Sequence, residues 1–189
     1  MGTPRRTPAL TVEEFLEMEE ASSTKHEYVG GQIYALAGAS ERHNLIAANV
    51  LAVLWQAARG GPCRVYGSDM RLRLGDTAVY YPDVQVACEH DASIQSYITR
   101  PCLIVEVLSP STQSVDLREK WLAYRDIPSL RDYLIVWRDQ RRVMLHYRAA
   151  DDDQWYDTVL GGQAGVKLQC PTMKLSLEEI YEGLDVPAL

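Results

Sequence analysis

The sequence lacks the long apolar run that a membrane-spanning helix or a signal peptide requires. Its first residues, Met1 to Pro8, are polar and include Arg5 and Arg6, and no apolar segment follows that could cross a bilayer. We therefore expect a cytoplasmic protein without a membrane partner.

Cysteine is scarce, and its spacing suggests no site. The four cysteines, Cys63, Cys88, Cys102 and Cys170, include no C-x-x-C pair and no metal-knuckle spacing. We expect buried or incidental thiols in a reducing compartment.

The chain also lacks an excess of positive charge. Its net charge of −7 disfavours a protein that coats nucleic acid non-specifically, because phosphate binding draws on clustered Lys and Arg. The net charge does not exclude an enzyme that contacts a short length of nucleic-acid backbone through a local positive patch. Arg71 and Arg73 share one face of a predicted strand, where they could contact phosphate or could protect a solvent-facing edge strand from pairing.

The sequence does contain the helix and strand signals of one α/β (α+β) domain. Its 189 residues suffice for one domain and are few for two, so we expect a single domain over residues 1–189, with residues 1–10 as a flexible tail. Hydrophobic spacing and caps predict helices over residues 12–18, 40–59, about 112–125 and 176–184. Apolar runs predict a hairpin over 25–36 that turns at Gly30-Gly31. They also predict strands over 63–74, 78–88, 101–108, 133–137, 141–148, 155–160 and 166–168. We expect the last four of these strands to form an antiparallel meander. The order predicts a mixed β-sheet flanked by helices.

Two acids interrupt the apolar strands 78–88 and 101–108. Asp83 follows Tyr81-Pro82, and Glu106 lies within the run Leu103 to Leu108. A buried carboxylate is costly unless it is paired or binds a cation. Neighbouring strands lie about 4.8 Å apart, so the two acids could share one divalent metal if they face the same way. Magnesium suits such a pair because it prefers few carboxylates and many waters.

The helix predicted after Glu106 carries three polar residues on one face, namely Asp116, Lys120 and Tyr124, spaced by four. Lys120 could orient the attacking water at a metal site or neutralise a scissile phosphate. The alternative is a surface pair between Asp116 and Lys120 worth about 0.2–0.5 kcal/mol, and the spacing leaves both interpretations open.

Glu27 and His43 are two further candidates. Glu27 precedes the first predicted strand and could act at the site or be a solvated strand-end residue. His43, near the start of the helix over 40–59, could face the site or be a surface or structural residue.

Together these residues resemble the Uma2 family of restriction endonucleases, which belongs to the PD-(D/E)XK nuclease superfamily. The resemblance extends from about Thr11 to Leu184 and is carried by Tyr81-Pro82-Asp83-Val84, the run Ile104 to Thr112, Asp116, Lys120, Tyr124, the run Tyr133 to Val136, the segment Glu27 to Tyr34 and His43. It implies a restriction-endonuclease-like core that binds magnesium, with manganese as a substitute, and that cuts DNA.

The resemblance also implies roles for single residues. Asp83 matches the motif's Asp, Glu106 matches its second acid, and Glu27 falls where many members place a further acid. The superfamily's lysine, two residues after the second acid, is replaced here by Leu108, and this branch takes a lysine from the following helix, where Lys120 stands. Restriction-type nucleases often pair to cut both strands, so we expect a homodimer through the antiparallel meander.

The sequence therefore predicts a metal-dependent endodeoxyribonuclease. The alternative is a catalytically inactive relative that binds nucleic acid or protein, which Leu108 and the acidic net charge favour. A hydrolase of a small phosphate ester ranks last because no glycine-rich phosphate loop is present.

Overall fold

The structure, a computed structural model, describes residues 10–89, 93, 96–109, 115–149, 153–162 and 164–187. Of the predicted tail, only Leu10 lies within these ranges. The described helices are α1 (Val12–Ala21), α2 (Glu41–Ala58), a π-helical segment (Val115–Lys120), α3 (Trp121–Tyr124) and α4 (Leu177–Ile180). The described strands are β1 (His26–Val29), β2 (Gln32–Ala35), β3 (Arg64–Gly67), β4 (Arg71–Leu74), β5 (Ala78–Tyr80), β6 (Val84–Ala87), β7 (Tyr97–Ile98), β8 (Leu103–Leu108), β9 (Asp132–Trp137), β10 (Arg142–Arg148), β11 (Trp155–Gly161), β12 (Gly165–Gln169) and β13 (Thr172–Ser176).

Local capping signals start the helices where the sequence predicts. The Thr11 hydroxyl accepts a hydrogen bond from the Glu14 N–H at 3.2 Å, and the Glu14 carboxylate accepts one from the Thr11 N–H at 2.8 Å, which completes a capping box before α1. Ser40 caps α2 by accepting from the His43 N–H at 3.3 Å. The β1–β2 hairpin turns at Gly30 and Gly31, whose φ angles of 57° and 89° favour glycine.

A six-stranded sheet, in the order β11-β10-β9-β8-β6-β3, forms the centre of the fold. The β8–β9 pair is parallel and the other neighbours are antiparallel, so the predicted mixed sheet flanked by helices is confirmed. Side chains alternate across β8, so Val105 and Val107 pack on the α2 side, while Ile104 and Leu108 pack on the side of Tyr124 in α3. Glu106 therefore lies on the α3 side.

A second sheet, in the order β2-β1-β5-β4-β7, lies on the α3 side of the first and shares its apolar cluster. Residues 78–88, predicted as one strand, are two strands in different sheets. The ladder is interrupted at Pro82, which has no N–H to donate, and the chain passes from β5 in one sheet to β6 in the other. Residues 63–74 are likewise split into β3 and β4 by a turn in which the Met70 N–H donates to the Gly67 carbonyl at 3.1 Å.

The meander prediction is correct for β9, β10 and β11 but wrong for the strand that follows. β12 pairs with β13 in a separate two-stranded sheet, which packs with α4 on the α2 side of the central sheet. The cysteines, predicted as thiols, are joined in this structure as Cys63 to Cys88 and Cys102 to Cys170. None of the described helices is long and apolar enough to cross a membrane.

Candidate active site

Asp83 lies just before β6, beside the strand that carries Glu106. The β6–β8 ladder ends at the pair Val84–Val105, and Asp83 stands at a bend immediately before it. Asp83 precedes β6, and its Oδ2 accepts a hydrogen bond from the Val107 N–H at 2.7 Å. The Asp83 carboxylate thus accepts the hydrogen bond that a backbone carbonyl would accept if the β6–β8 ladder continued.

Lys120 joins two of the predicted acids. Its Nζ lies 2.9 Å from Glu106 Oε1 and 3.2 Å from Glu27 Oε1. The three side chains are 7%, 5% and 10% exposed, in the order Lys120, Glu106 and Glu27. Ionised groups this far from water require close partners, and these three provide them for one another. The alternative of a surface lysine is therefore wrong.

Glu27 is buried at the edge of this group. It lies on β1, and its Oε1 also accepts a hydrogen bond from the Tyr81 N–H at 3.2 Å. Only 8% of the residue is exposed, so the alternative of a solvated strand-end residue is wrong. The same β5–β6 connection thus positions Glu27 through Tyr81 and supplies Asp83.

Two tyrosines surround the lysine. Tyr124 lies one turn after Lys120, and its hydroxyl donates to Glu106 Oε1 at 3.1 Å. Burial raises the pKa of Tyr124 well above its usual value, and the Glu106 charge raises it further, so the hydroxyl remains a donor. The Lys120 Nζ also lies 5.7 Å from the centre of the Tyr80 ring, whose pKa is raised to about 12 by burial and by the charge of Glu27.

His43 contacts Asp83 from the start of α2. Its Nε2 lies 3.1 Å from Asp83 Oδ2. Burial lowers the pKa of His43, but the hydrogen bond and charge of Asp83 outweigh this, so the net pKa is raised. Its Nδ1 is buried without a hydrogen-bond partner among the described residues. Of the alternatives for His43, the structure favours a residue that faces the site over a surface residue.

Other candidate residues lie elsewhere or are not described. The side chain of Asp116 lies outside the part of the chain that the structure describes. Arg73 is 15% exposed and binds Glu13 at 2.6 Å and Asp76 at 2.7 Å. Its strand β4 lies between β5 and β7, so it is not an edge strand. Arg71 donates through Nε to the Ser96 carbonyl at 3.1 Å.

Sequence reasoning missed Tyr80, the Tyr81 N–H and Gln85 as parts of the site. A backbone N–H cannot be singled out from the sequence because almost every residue has one. Tyr80 has the same sequence pattern as an aromatic residue of the core. Gln85 lies opposite Ile104, on the same face as Glu106, and is completely buried. Its Nε2 donates to the Met70 carbonyl at 2.8 Å, while its Oε1 has no hydrogen-bond partner among the described residues. Its position two residues after Asp83 was the available signal.

The oxygen donors around the end of the β6–β8 pair are compatible in chemical type with magnesium. Asp83 and Glu106 offer carboxylate oxygens, and Gln85 offers a buried carbonyl oxygen without a described partner. Hard cations such as Mg²⁺ prefer oxygen ligands of this kind, with few carboxylates and the rest water. Among the described residues, Glu27, Asp83 and Glu106 do not form a cluster with all three donor atoms within 4.8 Å of one another.

Residues 12–182 match the model of the Uma2 family, whose description is "Putative restriction endonuclease". The chain belongs to the Uma2 family. This confirms the predicted resemblance, and the family description supports a nuclease role for the chain.

Known proteins similar to this Uma2 chain include two from Synechocystis sp. and one solved structure. The uncharacterized protein slr1290 is 38% identical over 181 residues, covering 94% of each chain. The uncharacterized protein sll1609 is 37% identical over 161 residues, covering 83% of this chain and 90% of its own. The crystal structure of a "putative nuclease belonging to DUF820" from Anabaena variabilis is 18% identical, with a TM-score of 0.74 over 90% of this chain and 97% of that one. This likeness shows a shared fold.

Proposed function

We propose that the protein is a magnesium-dependent endonuclease that hydrolyses phosphodiester bonds of cytoplasmic DNA. The observation that carries the proposal is one buried group in which oxygens of Glu27 and Glu106 lie within 3.2 Å of the Lys120 ammonium. Asp83 Oδ2 accepts a hydrogen bond from the N–H of Val107, the residue after Glu106, so the two acids lie at the same end of the sheet. Acids that can hold a cation beside a cationic side chain are the residue types that phosphodiester hydrolysis uses.

Asp83 and Glu106 are the residues that would hold the magnesium, and manganese would substitute for it. When bound, the ion supplies positive charge against the negative charge that develops on the phosphate. Gln85 lies on the same face of the sheet as Glu106 and offers a further oxygen. Asp83 keeps its orientation through the Val107 N–H and through His43, so we assign His43 a positioning role.

Lys120 replaces the missing strand lysine in this proposal. Leu108 is 3% exposed in the apolar cluster and cannot supply charge, whereas the Lys120 Nζ lies 2.9 Å from Glu106. We assign Lys120 the role of orienting the attacking water or neutralising the scissile phosphate. Glu27 holds the ammonium on its other side, and Tyr124 fixes Glu106 by donating to its Oε1.

The experiment is a cleavage assay on supercoiled plasmid and linear duplex DNA with Mg²⁺, Mn²⁺ or a chelator. We expect cleavage only with metal, and a loss of at least about 100-fold for Asp83→Asn, Glu106→Gln and Lys120→Met, since each removes charge from the reacting centre. Absence of metal-dependent cleavage in the parent, or equal cleavage by Asp83→Asn and the parent, would refute the proposal.

Matched controls make the same chemical changes at exposed positions. Asp185→Asn, Glu17→Gln and Lys174→Met each alter an exposed side chain that is not one of the proposed site residues. All three should cleave like the parent. Circular dichroism of every variant separates a lost reaction from a lost fold.

The second candidate is a binding module that kept the fold without turnover, which the buried Leu108 and the net charge of −7 favour. Calorimetry with MnCl₂ distinguishes the two functions. Manganese binding that Glu106→Ala abolishes argues against the module, because a module without turnover has no use for an ion at this acid.

We also propose that two copies pair through the meander β9–β11. β11 is an edge of the central sheet, and it exposes 40% of Tyr156 and 42% of Val159. An edge strand with apolar side chains is a ready surface for a second chain. A pair of sites would allow cleavage of both DNA strands.

A further inference from the structure

The four cysteines of the chain converge from four separate parts of the fold. Cys63 precedes β3, Cys88 follows β6, Cys102 precedes β8, and Cys170 lies in the turn between β12 and β13. The antiparallel β3–β6 register places Arg64 opposite Ala87, so Cys63 and Cys88 are the next opposed pair. Sequence spacing shows none of this, since the residues that meet are 25 and 68 positions apart.

The two disulfides are in direct contact with each other. The Sγ of Cys88, bonded to Cys63, lies 3.2 Å from the Sγ of Cys170 and 3.5 Å from that of Cys102. Cys63, Cys88 and Cys170 form a group of three potential metal ligands whose donor atoms all lie within 4.8 Å of one another. Two independent disulfides require only that sulfurs be close in pairs, whereas here one sulfur is close to the other three.

We infer that Cys63, Cys88, Cys102 and Cys170, when reduced, form a four-thiolate site for Zn²⁺. In a tetrahedral site with Zn–S bonds of about 2.3 Å, the sulfurs lie roughly 3.8 Å apart. The two contacts between the disulfides, at 3.5 and 3.2 Å, are about 0.3 and 0.6 Å shorter than this spacing. Once the S–S bonds open, the paired sulfurs can separate to the same distance. Thiolates are also the ligands that select zinc among the common divalent metals.

This site is separate from the carboxylate site. Asp83 precedes β6 and Cys88 follows it, and five residues of strand span about 16 Å. Cys102 likewise precedes β8, whereas Glu106 lies in its second half. A zinc ion would therefore connect β3, β6, β8 and the β12–β13 turn at the end of the sheet opposite the proposed reaction, as a structural centre.

The inference rests on the proposed function in one respect: a protein that acts on cytoplasmic DNA works where thiols are kept reduced. Each disulfide would take two electrons and two protons from a dithiol reductant, which is released as its own disulfide. The four thiols would then release four protons as Zn²⁺ binds, giving a complex with a net charge of −2. Cys102 and Cys170 are buried and Cys63 and Cys88 half-buried, so the ion would enter from the side of the latter pair.

The experiment measures metal content rather than DNA cleavage. The full chain is reduced with dithiothreitol, its thiols are counted with and without Zn²⁺, and bound zinc is determined after gel filtration. We expect four reactive thiols without zinc, strong protection with it, and about one zinc per chain. With Co²⁺ in place of Zn²⁺, we expect the visible absorption and thiolate charge-transfer bands of a tetrahedral sulfur site.

Variants locate the ion. Cys88→Ser should lower zinc retention at least about tenfold, whereas Glu106→Gln should retain the parent's zinc because it alters only the carboxylate site. Three outcomes would overturn the inference: disulfides that resist the reductant, reduced protein that binds no zinc, or a cobalt spectrum without sulfur bands. If Cys88→Ser does not fold, the measurements on the parent protein decide. A zinc-loaded chain that does not cut DNA would support this inference while refuting the proposed function.

Discussion

Replacing Lys120 by methionine should destabilise the folded protein by about 3–5 kcal/mol at pH 7. Methionine fills a similar volume but removes the ammonium that lies 2.9 Å from Glu106 and 3.2 Å from Glu27. Those two carboxylates are only 5% and 10% exposed, so water cannot take over the lost interaction. An exposed ion pair would cost at most about 1 kcal/mol, so the measurement distinguishes a buried pair from a surface pair.

The source of this cost can be tested with a second substitution. Glu106→Gln removes one of the two carboxylates next to Lys120 while retaining an oxygen that can accept from Tyr124. Combined with Lys120→Met, it should cost less than the sum of the single changes, by about 0.5–3 kcal/mol, because the double variant no longer buries that carboxylate without the ammonium. Strictly additive costs would show that the two side chains do not interact.

The assay is urea unfolding followed by tryptophan fluorescence and circular dichroism. Equal denaturant slopes in parent and variant indicate that the difference in midpoint reports stability. Lys174→Met, on the exposed surface of β13, is the matched control and should change stability by no more than about 0.5 kcal/mol. A Lys120→Met variant within 1 kcal/mol of the parent would refute the buried ion-pair arrangement.

Three further predictions concern Tyr124, His146 and the edge strand β11. Tyr124→Phe removes the 3.1 Å hydrogen bond to Glu106 and should cost about 1.5–3 kcal/mol in urea unfolding; equal stability would contradict this bond. His146 stacks on Trp121, with ring centres 4.0 Å apart. Burial lowers the pKa of His146, although the charge of Asp157 opposes this shift. The neutral imidazole therefore stabilises the fold, and this contribution is lost as pH falls below about 6.5. His146→Phe should therefore gain stability relative to the parent on acidification, and a pH-independent difference would count against it. Val159→Glu should convert a dimer into a monomer by sedimentation, and a parent that is already monomeric would disprove pairing through β11.

The sequence predicts the locally determined parts of this fold well. Thr11 with Glu14 forms a capping box within four residues, and Gly30-Gly31 determines a hairpin by its own backbone preferences. Strands that change sheets are harder to predict. An apolar run has the same pattern whether it continues or is divided at Pro82, because tertiary contacts decide which sheet each half joins.

The candidate site could likewise be predicted where local sequence decides and not where tertiary contacts decide. Asp83 and Glu106 could be singled out because an acid in an apolar run needs a partner, wherever the partner lies. Spacing could not show that Lys120 reaches Glu106, since this depends on how the π-helical segment packs over β8. The cysteine cluster was missed for a related reason, because its members meet through strand register and not through sequence spacing.

In the proposed site a helix lysine takes the place of a strand lysine, and the layer that covers β8 offers a physical reason for this. Leu108 shares the face of Glu106 and is 3% exposed in a cluster with Ile104 and Ile135. A lysine at position 108 would have to pass its ammonium through this apolar layer. In the present fold, the helical element instead brings both Lys120 and Tyr124 to the same Glu106 oxygen.

Returning the lysine to the strand should therefore fail. Leu108→Lys combined with Lys120→Met should be less stable than Lys120→Met alone by at least about 1 kcal/mol, because the longer side chain overpacks the cluster and its charge is desolvated. Its DNA cleavage should stay at the level of Lys120→Met, as measured in the same plasmid assay. Recovery to within about tenfold of the parent would show that the two positions are equivalent. The site would then tolerate an ammonium from either element, and the covering layer would not explain the exchange.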